Sequence, residues 1–333
     1  MLIEEQFFAL TPERILDSVE FGGRRATGYA LALNSLENRV YEVEYEDESR
    51  LVAKFYRPGR WSREQILAEH QFVAELHESE VPVVPPLDLG GLDGKGTLGE
   101  LKLDAGVIWF AVFDKVRGRA PEELTDDQLR QLGRLVARLH NIGDAHSAPS
   151  RPRLDPDSYG SASLRILLGD DAMSSFVPPE MRTRFATAGR GIIDACARKW
   201  QELESIRIHG DCHLGNLLWG GSGPFFLDFD DFLHGPPVQD LWLLAPGRDD
   251  DAQRQRDLLV DGYETMRRFD RRTLKFVEPL RALRILRYAA WIAQRWRDPA
   301  FTRAFPDWDD PRTWQRELGE MEAQRARVES ALG

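Results

Sequence analysis

Hydrophobic and polar residues between positions 28 and 57 follow the two-residue period of β-strands. Val43 and Tyr45 lead into a charged turn over residues 46–50, and the apolar run 51–55 follows it. A charged turn between two strand-like runs is typical of a hairpin or a meander. We therefore expect the first part of the chain to be rich in β-strands.

The spacing changes to that of a helix over residues 63–78, where apolar side chains recur every three or four positions. The Pro-rich stretch 81–86 ends this helix, since proline lacks the backbone N–H that a helix needs. Residues 107–113 form an uninterrupted apolar run of strand length.

Beyond residue 113 the spacing is mainly helical. One helix is marked by Leu129, Leu132 and Leu139, and residues 279–296 mark a long buried one. The segment 281–297, rich in Arg and Trp, is most simply a helix that is buried on one face. Residues 143–163 are rich in Pro, Ser, Asp and Gly, so we expect a loop there.

This order of elements indicates an α+β fold with two lobes that join near residues 113–118. We place a smaller β-rich N-terminal lobe at residues 1–113 and a larger, mainly helical C-terminal lobe at 114–333. A cleft between two lobes is the usual place for a ligand.

Composition and charge limit the classes of function. With 333 residues the chain is long enough for two lobes, and its net charge of −11 disfavours binding to nucleic acids. The same charge suits a cationic acceptor or a metal-bound nucleotide. The N-terminus is not a signal peptide, no apolar run is long enough to span a membrane, and two cysteines make no disulfide framework. We expect a cytoplasmic monomer without a nucleic-acid or membrane partner.

The strongest chemical signal is the segment 209–216, His-Gly-Asp-Cys-His-Leu-Gly-Asn. Phosphoryl transfer needs a carboxylate that accepts the proton of the attacking hydroxyl, and oxygen ligands for Mg²⁺. The loop H-R-D-x-x-x-x-N of protein kinases supplies such a base and one Mg²⁺ ligand. His209, Asp211 and Asn216 stand at that spacing, with Gly210 in place of the arginine. We predict that Asp211 is the catalytic base.

A further carboxylate follows at a position that suits a metal ligand. Asp228 comes directly after the apolar run 225–227, at the end of a short buried strand. We predict Asn216 and Asp228 as Mg²⁺ ligands, with Asp228 also part of the catalytic set. Asp230 and Asp231 are alternatives to Asp228, but they lie farther from the apolar run.

Lys54 ends the strand-like run 51–54, much like the strand lysine that contacts the α- and β-phosphates of ATP in protein kinases. A glutamate on the following helix should pair with it. Glu69 is the best candidate, and Glu64 and Glu75 are alternatives. We predict Lys54 and Glu69 as part of an ATP site, although each could be an ordinary solvated residue when taken alone.

Other interpretations of the same segment are weaker. His209, Cys212 and His213 could suggest zinc, but no second pair of ligands stands at the usual spacing. Cys212 lacks an identifiable His/Asn set that would make it a nucleophile. His209 is better explained as a structural histidine, and Asp240 as an anchor for the loop that caps residues 241–242.

Together these residues resemble the aminoglycoside phosphotransferase and choline kinase branch of the protein kinase fold, in which H-G-D replaces H-R-D. More narrowly, the chain is similar to the bacterial stress response kinase A family of serine/threonine protein kinases. The similar stretches span nearly the whole chain: 33–41, 52–58, 69–72, 80–83, 110–113, 209–216, 235–236, 238–242 and 278–282. The resemblance implies a bilobal protein-kinase-like fold and protein kinase activity in a bacterial cytoplasm.

The resemblance also implies roles for single residues. Asp211 would accept the proton, Asn216 and Asp228 would bind Mg²⁺, and Ser35 would contact the phosphates of ATP. The segment 33–41 takes the place of the glycine-rich loop but contains no glycine. Backbone N–H groups of a tight turn, helped by the Ser35 hydroxyl and the Asn38 amide, can hold phosphate, although a plain β-turn is the simpler interpretation.

Two departures from ordinary protein kinases concern regulation. Gly210 removes the arginine that would pair with a phosphorylated activation loop. Only eleven residues separate Asp228 from Asp240, which leaves no room for a long activation segment. We expect that phosphorylation of residues 229–239 does not switch this protein, while autophosphorylation elsewhere stays open.

The sequence thus favours an ATP- and Mg²⁺-dependent serine/threonine protein kinase of the bacterial stress response, with a Ser- or Thr-containing protein as its substrate. The alternative is a small-molecule O-phosphotransferase that acts on an aminoglycoside, choline, homoserine or a sugar alcohol. A catalytically dead scaffold is disfavoured because Lys54, Asp211, Asn216 and Asp228 are all present. Only the family resemblance separates a protein acceptor from a small one.

Overall fold

An antiparallel five-stranded sheet forms the smaller lobe in the computed structural model, which describes residues 7–90, 96–104, 106–169, 175–221 and 223–333. The strands lie in the order β1-β2-β3-β5-β4 and comprise β1 (Ala26–Leu33), β2 (Arg39–Tyr45), β3 (Arg50–Phe55), β4 (Gly99–Leu103) and β5 (Gly106–Asp114). The meander expected over residues 28–57 and the strand expected over 107–113 are therefore confirmed. Strand β4 and the short helix α1 (Pro12–Ser18) were not predicted.

The hydrophobic core of this lobe lies on one face of the sheet, where Val43, Leu51 and Phe55 are buried. Lys54 lies on the opposite face of β3. It is paired in register with Val40 on β2 and with Ala111 on β5. Because side chains alternate along a strand, burial of Leu51 and Phe55 in the core turns the side chain of Lys54 to the other face of the sheet.

Helix α2 (Arg63–Glu78) follows the sheet and coincides with the predicted helix. It begins with a capping box, in which Ser62 and Gln65 each bind the other's backbone N–H. It ends before residue 81, where the proline-rich stretch starts, and Glu80 takes a left-handed conformation with φ of 57°. Glu69 lies on the buried face of this helix.

A buried histidine on α2 gives the lobe a defined response to pH. His70 Nε2 lies 3.0 Å from Tyr56 Oη, and Nδ1 lies 2.7 Å from Thr97 Oγ1. Burial, helped by the charge of Lys54, lowers the pKa of His70 from 6.5 to about 3. The folded state therefore keeps this imidazole neutral at a pH where the unfolded chain protonates it.

We expect His70 to destabilise the protein as the pH falls from about 6.5 towards 3, because only the unfolded state gains this proton in that window. Its share of the slope approaches about 1.4 kcal/mol per pH unit. Urea unfolding between pH 7 and pH 4 should show a shallower decline for His70→Gln than for the wild type. Equal slopes for the two proteins would contradict the assignment.

The larger lobe is mainly helical and carries two short two-stranded sheets. Its helices are α3 (Asp126–Ala145), α4 (Ala162–Leu168), α5 (Arg182–Lys199), α6 (Val238–Leu244), α7 (Asp250–Glu264), α8 (Val277–Gln294), α9 (Pro299–Ala304) and α10 (Pro311–Leu332). Its strands are β6 (Ile206–Ile208), β7 (Leu217–Gly220), β8 (Gly223–Phe226) and β9 (Leu233–Gly235), paired as β6 with β9 and β7 with β8. Among the described residues, no helix is both long and apolar enough to cross a membrane.

Two predicted helices are confirmed as α3 and α8, but the loop expected over 143–163 is wrong in part. Helix α3 continues to Ala145, and a π-helical turn, Pro156–Ser161, leads directly into α4. The side chain of Asp155 accepts hydrogen bonds from the N–H groups of Asp157 and Ser158 at the start of that turn. A polar, Pro-containing segment can therefore be a helix start as well as a loop.

Ion pairs join the loop between β1 and β2 to the helical lobe. The buried carboxylate of Glu37 accepts hydrogen bonds from Trp291 Nε1 at 2.5 Å and from Arg295 Nε at 2.6 Å. Arg57, at the end of β3, binds Asp298 Oδ2 at 2.8 Å beyond α8. These contacts fix the loop over residues 34–38 relative to the larger lobe.

We expect Glu37→Gln to raise the KM for ATP about threefold to tenfold, because a loosened loop must be ordered again when phosphates bind. Initial rates at varied ATP concentration would measure the change. Glu44→Gln is the matched control, since among the described residues Glu44 forms an ion pair only with the exposed Arg50. An unchanged KM in Glu37→Gln would show that this anchor has no bearing on nucleotide binding.

Candidate active site

A cavity of about 430 Å³ lies between the two lobes. Its apolar walls come from both lobes and comprise Leu33, Val40, Val52, Val84, Leu218 and Phe226. The end of β5 and the two residues after it, 113–116, form one edge. An apolar slot beside an open stretch of backbone suits an aromatic base, which needs both burial and a few hydrogen bonds.

The cation Lys54 occupies the polar end of this cavity. Its Nζ lies 3.3 Å from Glu69 Oε1, 3.1 Å from Asp228 Oδ1 and 3.3 Å from Asp230 Oδ1. Burial alone would lower the pKa of Lys54, but these carboxylates hold it well above its usual value. The side chain is therefore a fixed positive charge at the place where phosphates would lie.

Glu69 is the glutamate of α2 that pairs with Lys54. Of the two alternatives, Glu75 pairs with Arg207 at 2.7 Å, and Glu64 is exposed. Burial raises the pKa of Glu69 above its usual value, although the ammonium of Lys54 opposes this. The sequence prediction of this pair agrees with the geometry, while its role in ATP binding stays a prediction.

Asp228 differs from its two acidic neighbours in where its side chain lies. It lines the cavity and about half of its side chain is exposed, whereas Asp230 is buried against Asn38 and Arg60. Asp231 pairs with Arg60 Nη2 at 2.5 Å. Of the three, Asp228 alone lines the cleft, which supports its choice as the metal ligand.

The backbone of Asp228 is left-handed, with φ of 58° and ψ of 67°. A residue with a Cβ pays about 1–2 kcal/mol for this conformation. Such backbone strain is found most often at functional sites, where the surrounding structure maintains it. In this protein the left-handed conformation of Asp228 changes the direction of the chain between β8 and the 3₁₀ turn Phe229–Asp231.

The loop over residues 209–216 connects β6 to β7 and is anchored by a buried aspartate. Asp240 accepts the backbone N–H of His209 at 2.8 Å and that of Gly210 at 2.9 Å. His140 Nε2 contacts the same carboxylate at 3.0 Å. An anchoring role was expected for Asp240, but through capping of residues 241–242. The structure corrects that detail, because Asp240 binds the backbone of the loop itself.

His209 connects the loop to the segment that carries Asp228. Its buried ring lies 2.9 Å through Nε2 from the carbonyl oxygen of Leu227, so we assign the proton to Nε2. The ring also packs on Phe229, with centroids 4.4 Å apart. These contacts agree with the structural role predicted for His209.

Asp211 and Asn216 face each other across the loop. Asn216 Nδ2 donates to the backbone oxygen of Asp211 at 3.0 Å and to its Oδ2 at 3.4 Å. Asn216 also lines the cavity together with Asp228. Since the amide nitrogen is used within the loop, the amide oxygen is the atom that suits a metal ion.

The charges around Asp211 keep it ionised. Burial would raise its pKa, but the contact with His213 Nε2 at 3.4 Å and the charge of Arg284 hold that pKa well below its usual value. Arg284 Nη2 lies 2.7 Å from Asp211 Oδ1. A carboxylate that stays unprotonated at neutral pH can accept the proton of a hydroxyl.

Arg284 is a site residue that sequence reasoning missed. It belongs to α8, in the segment interpreted only as a helix buried on one face. The helical spacing does place it among exposed positions, but no local motif marks it. The fold alone brings it to the loop that holds Asp211.

The loop before β2 has the position that was expected for a phosphate loop. Ser35 and Asn38 both line the cavity, and Ser35 Oγ accepts the N–H of Asn38 at 3.3 Å. The Asn38 amide, however, is engaged within the protein, since Oδ1 accepts Arg57 N–H at 3.0 Å and Nδ2 donates to Asp230 at 3.2 Å. Asn38 therefore anchors the loop, and Ser35 is the freer of the two side chains.

The segment 229–239 is short, mostly buried and free of hydroxyl groups. It contains the 3₁₀ turn, strand β9 and the start of α6, and its sequence has no Ser, Thr or Tyr. Phosphorylation of these side chains is therefore excluded within this segment. The lack of hydroxyl groups gives a chemical reason for the expectation that phosphorylation of this segment does not switch the protein.

The ligand set fits Mg²⁺ better than zinc. Among the described residues, no group of three or more His, Cys, Asp or Glu side chains is placed to hold a metal ion, and Cys212 is buried. A carboxylate and an amide oxygen at the edge of a phosphate cavity suit Mg²⁺, which takes few protein ligands and completes its shell with phosphates and water. Asp228 and Asn216 supply that pair.

The chain is similar to known proteins over most of its length. The model of the phosphotransferase enzyme family matches residues 30–277. Stress response kinase A of Escherichia coli K12 is 38% identical over 301 residues, which cover 90% of this chain and 88% of that protein. Serine/threonine protein kinase RdoA of Salmonella typhimurium is 37% identical over 312 residues, or 93% of this chain and 91% of that protein.

Among solved structures, the amicoumacin kinase hAmiN in complex with AMP-PNP, Ca²⁺ and Ami superposes with a TM-score of 0.72. The two chains are 19% identical, and the match covers 96% of this chain and 93% of the other. That likeness shows the protein-kinase-like fold. With the family match and the similarity to curated relatives, it shows that the chain belongs to the phosphotransferase enzyme family and, within it, to the stress response kinase A family.

Proposed function

We propose that this protein is an ATP- and Mg²⁺-dependent serine/threonine protein kinase that acts in the bacterial cytoplasm during stress. The observation that carries the proposal is that Lys54, Asn216 and Asp228 line one inter-lobe cavity, while Asp211 contacts Asn216 beside it. The relatives named as stress response kinase A and as a serine/threonine protein kinase support the protein acceptor.

Each of these residues has a separate role in the proposed phosphoryl transfer. Lys54 is placed to bind the α- and β-phosphates, and Asn216 and Asp228 would hold Mg²⁺, which neutralises charge on the phosphates when bound. The acceptor hydroxyl oxygen forms a bond to the γ-phosphorus as the bond to the ADP oxygen breaks. Asp211 takes the hydroxyl proton, and ADP leaves with the electron pair of the broken bond.

The short segment after Asp228 supports an acceptor that binds without prior phosphorylation of the protein. Long activation segments shape the acceptor site of ordinary protein kinases. Here the same region is the buried turn, strand and helix start over residues 229–239. We propose a protein that is active as a monomer and whose Ser, Thr or Tyr phosphorylation sites all lie outside this segment.

One assay tests the function directly. Labelled ATP with Mg²⁺ is offered to generic protein substrates and, separately, to a panel of small alcohols that includes an aminoglycoside, choline and homoserine. We expect label in Ser or Thr residues of protein and none in the alcohols. Transfer to a small alcohol alone would replace the protein acceptor with a small molecule and leave the chemistry of the site unchanged.

A further inference from the structure

One arginine of α8 contacts the base, and a second follows it on the same helix. Arg284 and Arg287 are three positions apart on one helix, so they lie on the same side of it. Arg284 Nη2 is 2.7 Å from Asp211 Oδ1, and the guanidinium of Arg287 lies 5.6 Å from the ring centroid of Tyr159. Burial raises the pKa of Tyr159, and the nearby charges of Asp231, Arg287, Arg284 and Asp211 also act on it.

The contact between Arg284 and Asp211 is an ion pair without the alignment of a hydrogen bond. Asp211 Oδ1 is buried and makes no hydrogen bond within the described part of the chain. About a third of the Arg284 side chain is exposed. The guanidinium can therefore turn towards another anion without breaking a hydrogen bond to the base.

Neither arginine is neutralised by a further carboxylate. Over the described ranges, Asp211 is the single acidic group within 4.0 Å of Arg284, and none lies that close to Arg287. Other arginines of the same helix region are paired, as Arg281 is with Glu278 at 3.1 Å and Arg295 with Glu37. The two arginines thus share a single carboxylate, that of Asp211, and carry one excess positive charge.

We propose that Arg284 and Arg287 form an anion subsite that selects acceptors with a negative group next to the hydroxyl. In a protein substrate this is a Ser or Thr flanked by Asp or Glu, so the inference rests on the proposed function and refines it. The acidic side chain pairs with the guanidinium groups and draws Arg284 away from Asp211 Oδ1. The oxygen that is released then faces the hydroxyl whose proton it accepts.

This inference reverses the expectation that the net charge of −11 favours a cationic acceptor. Net charge is a property of the whole surface, whereas recognition depends on the groups within a few ångströms of the ligand. Around Asp211 those groups are His213 and Arg284, with Arg287 three positions further along α8 and the neighbouring Asp231 paired with Arg60. A polycationic acceptor would meet two guanidinium groups of its own sign there.

Arg284 could instead contact the γ-phosphate of ATP, as arginines do in other phosphotransferases. The two roles predict different kinetics. A phosphate contact lowers kcat by the same factor for every acceptor. An acceptor contact lowers kcat/KM by a larger factor for acidic acceptors than for neutral ones.

Three peptides of equal length test the proposal, each with one Ser flanked by Glu, Gln or Lys. We expect the full-length protein to phosphorylate the Glu peptide with a kcat/KM roughly tenfold or more above that of the Gln peptide. The Lys peptide should be the poorest acceptor. Arg284→Gln and Arg287→Gln should each reduce the preference for Glu, with the KM for ATP unchanged, and Arg284→Lys should retain most of it.

Arg190→Gln is the matched control, since it removes an exposed arginine of α5 and should leave the preference intact. Circular dichroism and thermal melting show whether each variant folds. If Arg284→Gln does not fold, Arg287→Gln carries the test. Equal kcat/KM for the Glu and Gln peptides, or a loss in Arg284→Gln that is the same for all three, would overturn the proposal.

A failure of the proposed function has a different signature. If no peptide is phosphorylated but a small alcohol is, the kinase acts on small molecules, and glycerate against glycerol then tests the same subsite. A preference for glycerate supports the anion subsite, and no preference overturns it. If no acceptor reacts, titration of the three peptides into the ADP-bound protein decides, with equal affinities counting against the proposal.

Discussion

Asp211→Asn is expected to lower kcat for phosphoryl transfer by about a thousandfold or more while the fold and nucleotide binding persist. Asparagine has the shape of aspartate but cannot take a proton from the hydroxyl. Asn216 and His213 keep their places beside the side chain, so the loop needs little adjustment. Arg284 loses its partner, but it is partly exposed and can turn to water.

Single-turnover transfer from labelled ATP to protein, measured beside the affinity for ADP, separates the chemical step from binding. Asp194→Asn is the matched control, because it makes the same replacement at an exposed position of α5. Its activity should equal that of the wild type. If Asp211→Asn retains more than a tenth of wild-type kcat, another group is the base, and this mechanism is wrong.

Local patterns predicted the parts of the site that lie on single elements. The helical spacing of residues 63–78 fixed the position of Glu69, and strand alternation fixed that of Lys54. Their pairing was expected from the likeness to the strand lysine of protein kinases, with Glu64 and Glu75 as alternatives, and the structure places Glu69 3.3 Å from Lys54. Asp211, Asn216 and Asp228 were also identified from local sequence. The first two stand at the spacing of the protein kinase loop, and Asp228 directly follows the apolar run 225–227.

Contacts between distant segments were beyond the reach of those patterns. Glu37 meets Arg295 only after the two lobes are assembled, and Asp211 meets Arg284 only after the larger lobe has folded. Neither arginine differs in its local sequence from an ordinary solvated position on an amphipathic helix. For the same reason the partners of Asn38 were missed, since a buried amide is recognised only by what surrounds it.

Gly210→Ala is expected to lower kcat/KM about a hundredfold and the free energy of unfolding by about 2–4 kcal/mol. Gly210 has φ of 82°, a left-handed conformation that a residue with a Cβ adopts only at a cost. An added Cβ would also lie 2.5 Å from the backbone oxygen of Asp231 and 3.2 Å from Leu233 Cγ. Backbone oxygen cannot rotate away, so the loop itself must move.

That movement would disturb both halves of the site at once. Gly210 precedes Asp211 and donates its N–H to Asp240, and Asp231 belongs to the turn that follows Asp228. Displacement of either segment changes the distance between the base Asp211 and the proposed metal ligand Asp228. An arginine here, as in ordinary protein kinases, would require the same movement, so Gly210 is a steric requirement of this packing as well as a regulatory difference.

Gly319→Ala provides the control, because this glycine lies within α10 with open space where the Cβ would be. Alanine there should stabilise the helix by about 0.5–1 kcal/mol and leave transfer unchanged. Urea unfolding and steady-state kinetics of both variants compare a glycine that packing requires with one that it does not. Wild-type activity in Gly210→Ala would mean that the loop tolerates the displacement, and the close packing of Gly210 on Asp231 would then have no part in positioning Asp211.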